Sequence, residues 1–364
     1  MLHIAFSKPL DLDKIRQDAA ADRAPGHVLL DLDQRTPTTF HLPTPGLAPT
    51  AADTLRAKIF PTATLWAHAR KILRQTSPSD TIYATGEDIG IPLATLARKL
   101  TPPRRPRISM FVHNLNRPRA KAALRLFRPL PAIHNFFTNA DPQLAFLRTA
   151  LALPKGRTIL LPEQTDTHFF RPALSPQSSA LSPLLVSVGL EQRDYKTLAA
   201  ATCDLPVQVK ISAYSKDART LRDSLPDPLP PNMTRQFYDW SALRDLYHQA
   251  AVIIVPLFEN PYCAGLTAYL EAAACRKPVI ITRTTGLASR LSPGAAVTVP
   301  PQHPIALREA IQQLLSDPAR AAQLATNAHT LVHQFHTPAN FLDTLLPHLA
   351  EPDPQVLEKG EGYV

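Results

Sequence analysis

Cysteine is scarce: Cys203, Cys263 and Cys275 are the only three in 364 residues, and they are scattered. That excludes a disulfide framework, and no spacing among them suits a structural zinc site. A reducing cytoplasm fits. Long apolar runs are also missing. Nothing approaches the roughly 18 residues that a membrane span requires. The opening Met-Leu-His-Ile-Ala-Phe-Ser-Lys-Pro holds no apolar stretch of secretory-signal length. The expectation is a cytoplasmic protein that is soluble or lies on the inner face of a membrane without crossing it.

Negative charge is missing from one long stretch. From Ile89 to Ala140 there is no Asp or Glu, while Arg98, Lys99, Arg104, Arg105, Arg107, Arg117, Arg119, Lys121, Arg125 and Arg128 all fall there. The net charge of +9 is therefore concentrated, and such a patch attracts anionic partners. Proline is the one excess: 38 residues, about twice the usual share, mostly between periodic segments where it reads as loop punctuation.

What is present is an α/β pattern. Short apolar runs at Leu2 to Phe6, His27 to Leu32, Thr81 to Ala84, Arg107 to Val112 and Asn135 to Thr138 read as strands. Amphipathic segments such as Leu93 to Leu100 and Pro142 to Ala150 read as helices. Strands alternating with helices predict a mostly parallel sheet. The pattern pauses in a linker over 173–183, then restarts at Leu184-Leu185-Val186-Ser187-Val188-Gly189. It continues through Val207 to Ala213, Val252 to Pro256, Val279 to Thr282 and Ala296 to Val299, with helices at Pro304 to Leu315 and Pro318 to Gln334. The division expected is 1–172, a linker, 184–350, and a disordered tail over 351–364, with a ligand cleft between the two domains.

One segment says more than the rest. Val252-Ile-Ile-Val-Pro is followed by an irregular loop, then Ala264-Gly-Leu-Thr at a helix start, one helix, and the strand Val279-Ile-Ile-Thr. A helix N-terminus at the carboxyl edge of a parallel sheet offers unpaired N–H groups and a partial positive charge, which suit a diphosphate. Gly265 allows close backbone approach, and Thr267 adds a hydroxyl. Glu271, about one turn beyond Thr267, can accept hydrogen bonds from ribose hydroxyls.

Here the chain resembles the retaining GT-B glycosyltransferases of family 4, the glycosyl transferases group 1. Two further segments carry the resemblance: Ser187-Val-Gly-Leu-Glu-Gln-Arg-Asp-Tyr-Lys-Thr-Leu, and Leu161-Pro-Glu-Gln-Thr-Asp-Thr-His-Phe-Phe-Arg-Pro. With the motif at Gly265 they cover the second half of the chain and the hinge, in the family's order. The resemblance implies an α/β GT-B fold, two Rossmann-like domains facing across a cleft. It implies an N-terminal acceptor domain and a C-terminal donor domain that uses a nucleotide sugar. Glu271 matches the second Glu of the family's Glu-x7-Glu motif. Gly265, Leu266 and Thr267 match the phosphate-facing helix start, and Gly189 the loop after the first donor-domain strand. Arg193 and Lys196 are the basic residues available to neutralise the leaving diphosphate, although the family more often places its Arg directly after the Gly, here Leu190. His113, in Met110-Phe-Val-His-Asn, looks like the histidine that faces the donor sugar. The implied reaction retains anomeric configuration, moves a hexose to a lipid-linked or saccharide acceptor, and needs neither a metal nor a cofactor.

One position departs from the family. The first Glu of Glu-x7-Glu falls on Cys263, and Glu259 is four residues early. Either backbone amides alone handle the sugar, or the chain is a degenerate scaffold that binds nucleotide or a partner protein. A nucleotide-sugar epimerase shares the architecture, but the acid and base it would need are not identifiable. Asp31-Leu-Asp33 stands too early to be the Asp-x-Asp metal motif of the other glycosyltransferase fold. Cys263 has no partner pattern for a nucleophile. Finally, Arg117, Lys121, Arg125 and Arg128 fall on one stripe of a helix whose adjacent arc is Ala120, Ala123, Leu124, Phe127 and Leu130. That stripe is expected to meet an anionic membrane surface or anionic acceptor. Nucleic acid is not expected, since no aromatic interleaving or recognition motif accompanies the charge.

Overall fold

The computed structural model describes residues 1–174, 182–213 and 224–350. Most of the expected linker (175–181) and the whole tail after 350 lie outside the described residues. In chain order the first elements are β1 (Leu2–Ala5), α1 (Leu12–Ala20), β2 (Thr38–His41), α2 (Ala51–Ala57), α3 (Ala63–Gln75), β3 (Thr81–Ala84) and α4 (Glu87–Ala97). They continue with β4 (Arg107–Phe111), α5 (Pro118–Phe127), β5 (Ile133–Thr138), α6 (Asp141–Thr149) and β6 (Thr158–Leu160). A second series holds β7 (Leu184–Val188), α7 (Tyr195–Thr202), β8 (Gln208–Ser212), β9 (Met233–Arg235), α8 (Trp240–Gln249) and β10 (Val252–Val255). It ends with α9 (Leu266–Ala274), β11 (Val279–Thr282), β12 (Val297–Val299), α10 (Pro304–Ser316), α11 (Pro318–Phe335) and α12 (Pro338–Leu349).

The chain forms two compact units. Of the described residues, the first unites Met1–Leu12, Val28–Leu161 and 342–350; the second unites Asp13–His27 and those of Pro162–Phe341. Each has a parallel six-stranded sheet among the described residues, ordered β2-β1-β3-β4-β5-β6 in the first and β12-β11-β10-β7-β8-β9 in the second. Parallel strands covered on both faces carry apolar residues at nearly every position. Accordingly, β3, β7 and β10 are buried throughout. Side chains alternate between faces with period two. Val186, Val188, Ile253 and Val255 pack on one side of the second sheet with α8, α9 and α11, and Leu185, Val209, Ile211, Val252 and Ile254 on the other with α7 and α10.

Both sheets have a switch point. The first unit lays β2 on one side of β1 and β3 on the other. In the second, β8 and β9 extend to one side of β7 and β10 pairs with the other. Loops leaving the carboxyl ends of the two strands at such a point run in opposite directions and leave a crevice.

Two expectations are corrected. The run from His27 to Leu32 is not a strand: Val28–Gln34 is a 3-10 helix. In a strand, Leu29 and Asp31 would share a face, but Leu29 is buried and Asp31 exposed. The strand that pairs with β1 is Thr38–His41, short and only partly buried at the sheet edge. The other concerns the domain bounds: 342–350 group with the first unit, and residues 13–27 with the second. Asp22 there pairs with Arg171 and Arg244 at 2.6 and 2.7 Å, and the Gly26 N–H donates to Asp166 Oδ2 at 2.7 Å. Those long-range bonds leave no trace in the local sequence pattern. No helix among the described residues is long and apolar enough to cross a membrane.

Candidate functional site

Most of the expected site residues meet at the switch point of the second unit. The loop after β7 carries Gly189 and Arg193, and the loop after β10 runs from Pro256 to Gly265. The two loops are stitched together: Arg193 bridges Leu257, Asp194 N–H donates to Pro256 O at 3.0 Å, and Phe258 N–H donates to Gln192 O at 2.9 Å. Thr282 Oγ1 accepts from Leu257 N–H at 3.0 Å, tying in β11.

Gly265 is the N-cap of α9, with φ +88°. A Cβ there would lie 2.8 Å from Val255 Cγ1, so any other residue meets both backbone strain and a clash. Leu266 is buried and Thr267 exposed. Among the described residues the N–H groups of Thr267 and Ala268 have no backbone acceptor, as the geometry of a first helical turn requires. They are the donors a bound anion would use.

Gly189, at φ +93°, leaves room for the Arg193 guanidinium, which a Cβ would approach to 2.6 Å. Arg193 is 4% exposed. Its Nε donates to Val188 O at 2.8 Å and its Nη1 to Glu191 O at 2.9 Å. Burial pushes its pKa down, against the charges of Tyr195, Tyr247, Glu191 and Glu271. The side chain thus props the loop from beneath. Lys196 lies exposed in the first turn of α7, a helix capped by Asp194, whose Oδ1 accepts from Thr197 N–H at 3.0 Å.

Glu271 is 8% exposed, and its Oε2 accepts from the Tyr247 hydroxyl at 2.7 Å. Burial lifts its pKa to about 7, opposed by that hydrogen bond and by the Arg193 charge. Cys263 is half-buried and its thiol donates to Gly286 O at 3.5 Å, while Glu259 Oε1 accepts from Thr285 N–H at 2.8 Å. Both serve the packing of the 259–264 loop on the segment after β11.

Sequence reasoning missed Tyr247 and Tyr195. Tyr247 comes from α8, 24 residues before the carboxylate it binds, with no local signal. The Tyr195 hydroxyl donates to Gly189 O at 2.5 Å and so fixes the glycine loop; it stands close to Arg193 in the sequence and was within reach.

His113 lies in the first unit, exposed at the carboxyl end of β4. Its surroundings centre on Glu87, which is 1% exposed at the start of α4. Glu87 Oε2 accepts from His113 N–H at 2.9 Å, and Oε1 accepts from Asn114 N–H at 3.1 Å and Arg117 Nη2 at 2.7 Å. Burial works to raise the Glu87 pKa, yet the His113 and Arg117 interactions hold it below its ordinary value.

The basic stripe is less uniform than expected. Arg117 is spent on Glu87, and Lys121 lies half-buried with its ammonium 5.6 Å from the Phe146 ring centre. Arg125 and Arg128 are exposed, beside the exposed Leu126. Several other cations of the acid-free stretch donate to backbone carbonyls: Arg98 to Arg128 O, Arg105 to Leu100 O and Arg119 to Ile59 O. Asp31 and Asp33 sit exposed on the 3-10 helix. Among the described residues no group of three or more His, Cys, Asp or Glu is arranged to hold a metal ion.

Comparison with known proteins adds the following. Residues 208–317 match the family described as Glycosyl transferases group 1. No curated protein matches the chain by sequence. Among solved structures, a sucrose-phosphate synthase from Thermosynechococcus elongatus is similar with a TM-score of 0.67 at 20% identity, covering 99% of this chain and 100% of the other. HepE of Anabaena, in complex with UDP-glucose, gives 0.67 at 15% identity, covering 96% and 99%. An alpha,alpha-trehalose 6-phosphate synthase from Burkholderia multivorans gives 0.69 at 13% identity, covering 100% and 99%. At these identities the likeness establishes the fold: the α/β GT-B fold with two Rossmann-like units.

Proposed function

We propose that the chain is a retaining glycosyltransferase that moves a hexose from a nucleoside-diphosphate sugar to a lipid-linked or saccharide acceptor. The observation that carries this reading is the convergence of Gly189, Arg193, Gly265, Thr267 and Glu271 on one switch point, inside or beside the segment that matches the glycosyl transferases. The similar HepE structure in complex with UDP-glucose favours UDP as the nucleotide.

In this reading the diphosphate rests on the N–H groups of Thr267 and Ala268, with the Thr267 hydroxyl beside them. Glu271 keeps Oε2 on Tyr247 and turns Oε1 to the ribose hydroxyls. As the glycosidic bond lengthens, charge grows on the leaving diphosphate. The α9 dipole, Lys196 and the buried Arg193 stabilise it. The acceptor hydroxyl enters on the face the diphosphate leaves, its proton passing to the departing diphosphate as the new C–O bond forms, which retains configuration. Positioning supplies much of the acceleration. Neither a metal nor a cofactor takes part. The setting proposed is cytoplasmic, with Arg125 and Arg128 meeting an anionic membrane surface and Lys121 and Arg117 contributing less.

A thermal-shift screen against UDP, GDP, ADP and their sugar conjugates tests the donor site, because a ligand of the folded state raises its melting temperature. UDP should raise it, and Glu271→Ala should abolish the shift. No shift with any nucleotide would sink the reading.

Cys263 favours one second reading. Its thiol faces Gly286 O where the family has a carboxylate, so a scaffold that binds nucleotide without transferring sugar is the rival. Nucleotide binding with neither transfer nor donor hydrolysis would select it.

A further inference from the structure

His113 is held more firmly than an exposed strand-end residue needs. Its ring Nε2 lies 3.1 Å from Thr85 O. A carbonyl can only accept, so in the neutral ring Nε2 carries the proton and Nδ1 is left as a bare acceptor. Thr85 is itself fixed: its N–H and its hydroxyl both donate to Ala5 O, at 3.0 and 3.1 Å, across the switch point of the first unit. The backbone of His113 is fixed by Glu87, whose carboxylate collects His113 N–H, Asn114 N–H and Arg117. Gly86 completes the seat. A Cβ there would come within 3.3 Å of His113 Cδ2, so the ring packs flush against the glycine.

We propose that Glu87 is a positioning residue for His113: by tying down the loop after β4 it keeps the ring on Thr85 O, so that Nδ1 accepts a hydrogen bond from a substrate hydroxyl. This rests on the glycosyltransferase reading and narrows it. A bare acceptor selects a sugar that presents a hydroxyl at that point. It disfavours one presenting a carboxylate there, which would meet lone pair against lone pair. A buried carboxylate with three donors is far more costly to leave unpaired than an exposed one. The arrangement is therefore specific to an ionised Glu87 rather than to any residue that fills the space.

The substitutions follow from the hydrogen bonds. In Glu87→Gln the amide oxygen suits the Oε1 position, which has two donors. The NH2 group then opposes the His113 N–H, donor against donor, and the fault falls on His113. Gly86→Ala reaches the ring from the other side without touching the buried charge, and its extended backbone (φ −175°) admits alanine.

The test is nitrogen NMR of the His113 ring in the full-length wild type, Glu87→Gln and Gly86→Ala, with UDP affinity and transfer kinetics from UDP-glucose on the same samples. The expected result is an Nε2–H ring in the wild type, a changed ring signal in both variants, and kcat/KM roughly tenfold lower or more, with UDP affinity unchanged. An Nδ1–H ring in the wild type would overturn the proposal. So would variants whose ring signal and kcat/KM both match the wild type. Failure of the glycosyltransferase reading appears separately, as a wild type that neither binds UDP nor transfers sugar, while the ring spectra still show whether Glu87 holds the histidine.

Discussion

The two units each carry a parallel six-stranded sheet with a switch point, ordered differently, and they differ in what those switch points are made of. In the second, Gly265 at positive φ starts α9, whose Thr267 and Ala268 N–H groups have no backbone acceptor among the described residues, and the charged side chains Arg193 and Glu271 are buried. In the first, the same place is organised by a buried carboxylate that holds one histidine. A backbone-built site depends on a few residues that nothing else can replace, so it leaves a recognisable motif. A side-chain-built site depends on partners distant in sequence, so it leaves almost none.

The largest effect should come from breaking the backbone site. Gly265→Ala meets a left-handed φ and a contact of 2.8 Å with Val255, and should cost about 2–4 kcal/mol of stability together with nucleotide binding. Urea unfolding with and without UDP measures both losses. A variant of wild-type stability would show that α9 can start without a glycine.

Next in size are opposite responses to pH. In the second unit, Glu271 has its pKa raised to about 7, chiefly by burial. Its unfolded form ionises first as pH rises, so stability is full below the ordinary value of 4.5 and is lost as pH climbs to about 7. In the first unit, burial and the His3, His68 and Lys71 charges lower the His41 pKa to about 4. There the unfolded form takes up its proton first, so stability is full above 6.5 and is lost as pH falls towards 4. Each change is on the order of 3 kcal/mol at most. Hydrogen exchange read unit by unit should show the first unit loosening on acidification. In the second, burial also lowers the pKa of His27, His248 and His336, which act in the opposite sense. The Glu271 contribution is therefore the difference between wild type and Glu271→Gln, the wild type gaining relative stability as pH falls from 7 to 4.5. A difference that does not change with pH would contradict the assignment.

A smaller effect is expected at Asp22. Its pairs with Arg171 and Arg244 are partly exposed, and exposed pairs contribute little, so Asp22→Ala should cost roughly 1 kcal/mol. Faster exchange should be confined to residues 13–27. Smallest of all, Arg125→Glu with Arg128→Glu should change stability by less than about 0.5 kcal/mol. The same pair should abolish flotation with anionic vesicles, and binding that persists would remove the membrane from the proposal.

Legibility in the sequence followed the same division. The second unit's strands, its order of segments, and the helix start at Gly265 were all readable, because apolar runs and glycine are local signals. The fold class was readable too. In the first unit, the apolar run at Val28 to Leu32 imitated a strand, and the real edge strand at Thr38–His41 was too polar to notice. Residues 13–27 pack where Asp22 finds two arginines far along the chain, and no local pattern announces that. Glu87 stands 26 residues from His113, and only the β3–β4 pairing brings them together. Arg193 was found by type and position, but not the burial that makes it a prop for the loop.

Everything proposed for the second unit turns on its switch point being a diphosphate site, and a crystal structure with UDP decides that. The diphosphate oxygens are expected within hydrogen-bond distance of the Thr267 and Ala268 N–H groups, with the ribose against Glu271. UDP bound away from the start of α9, with that first turn open to solvent, would contradict the assignment.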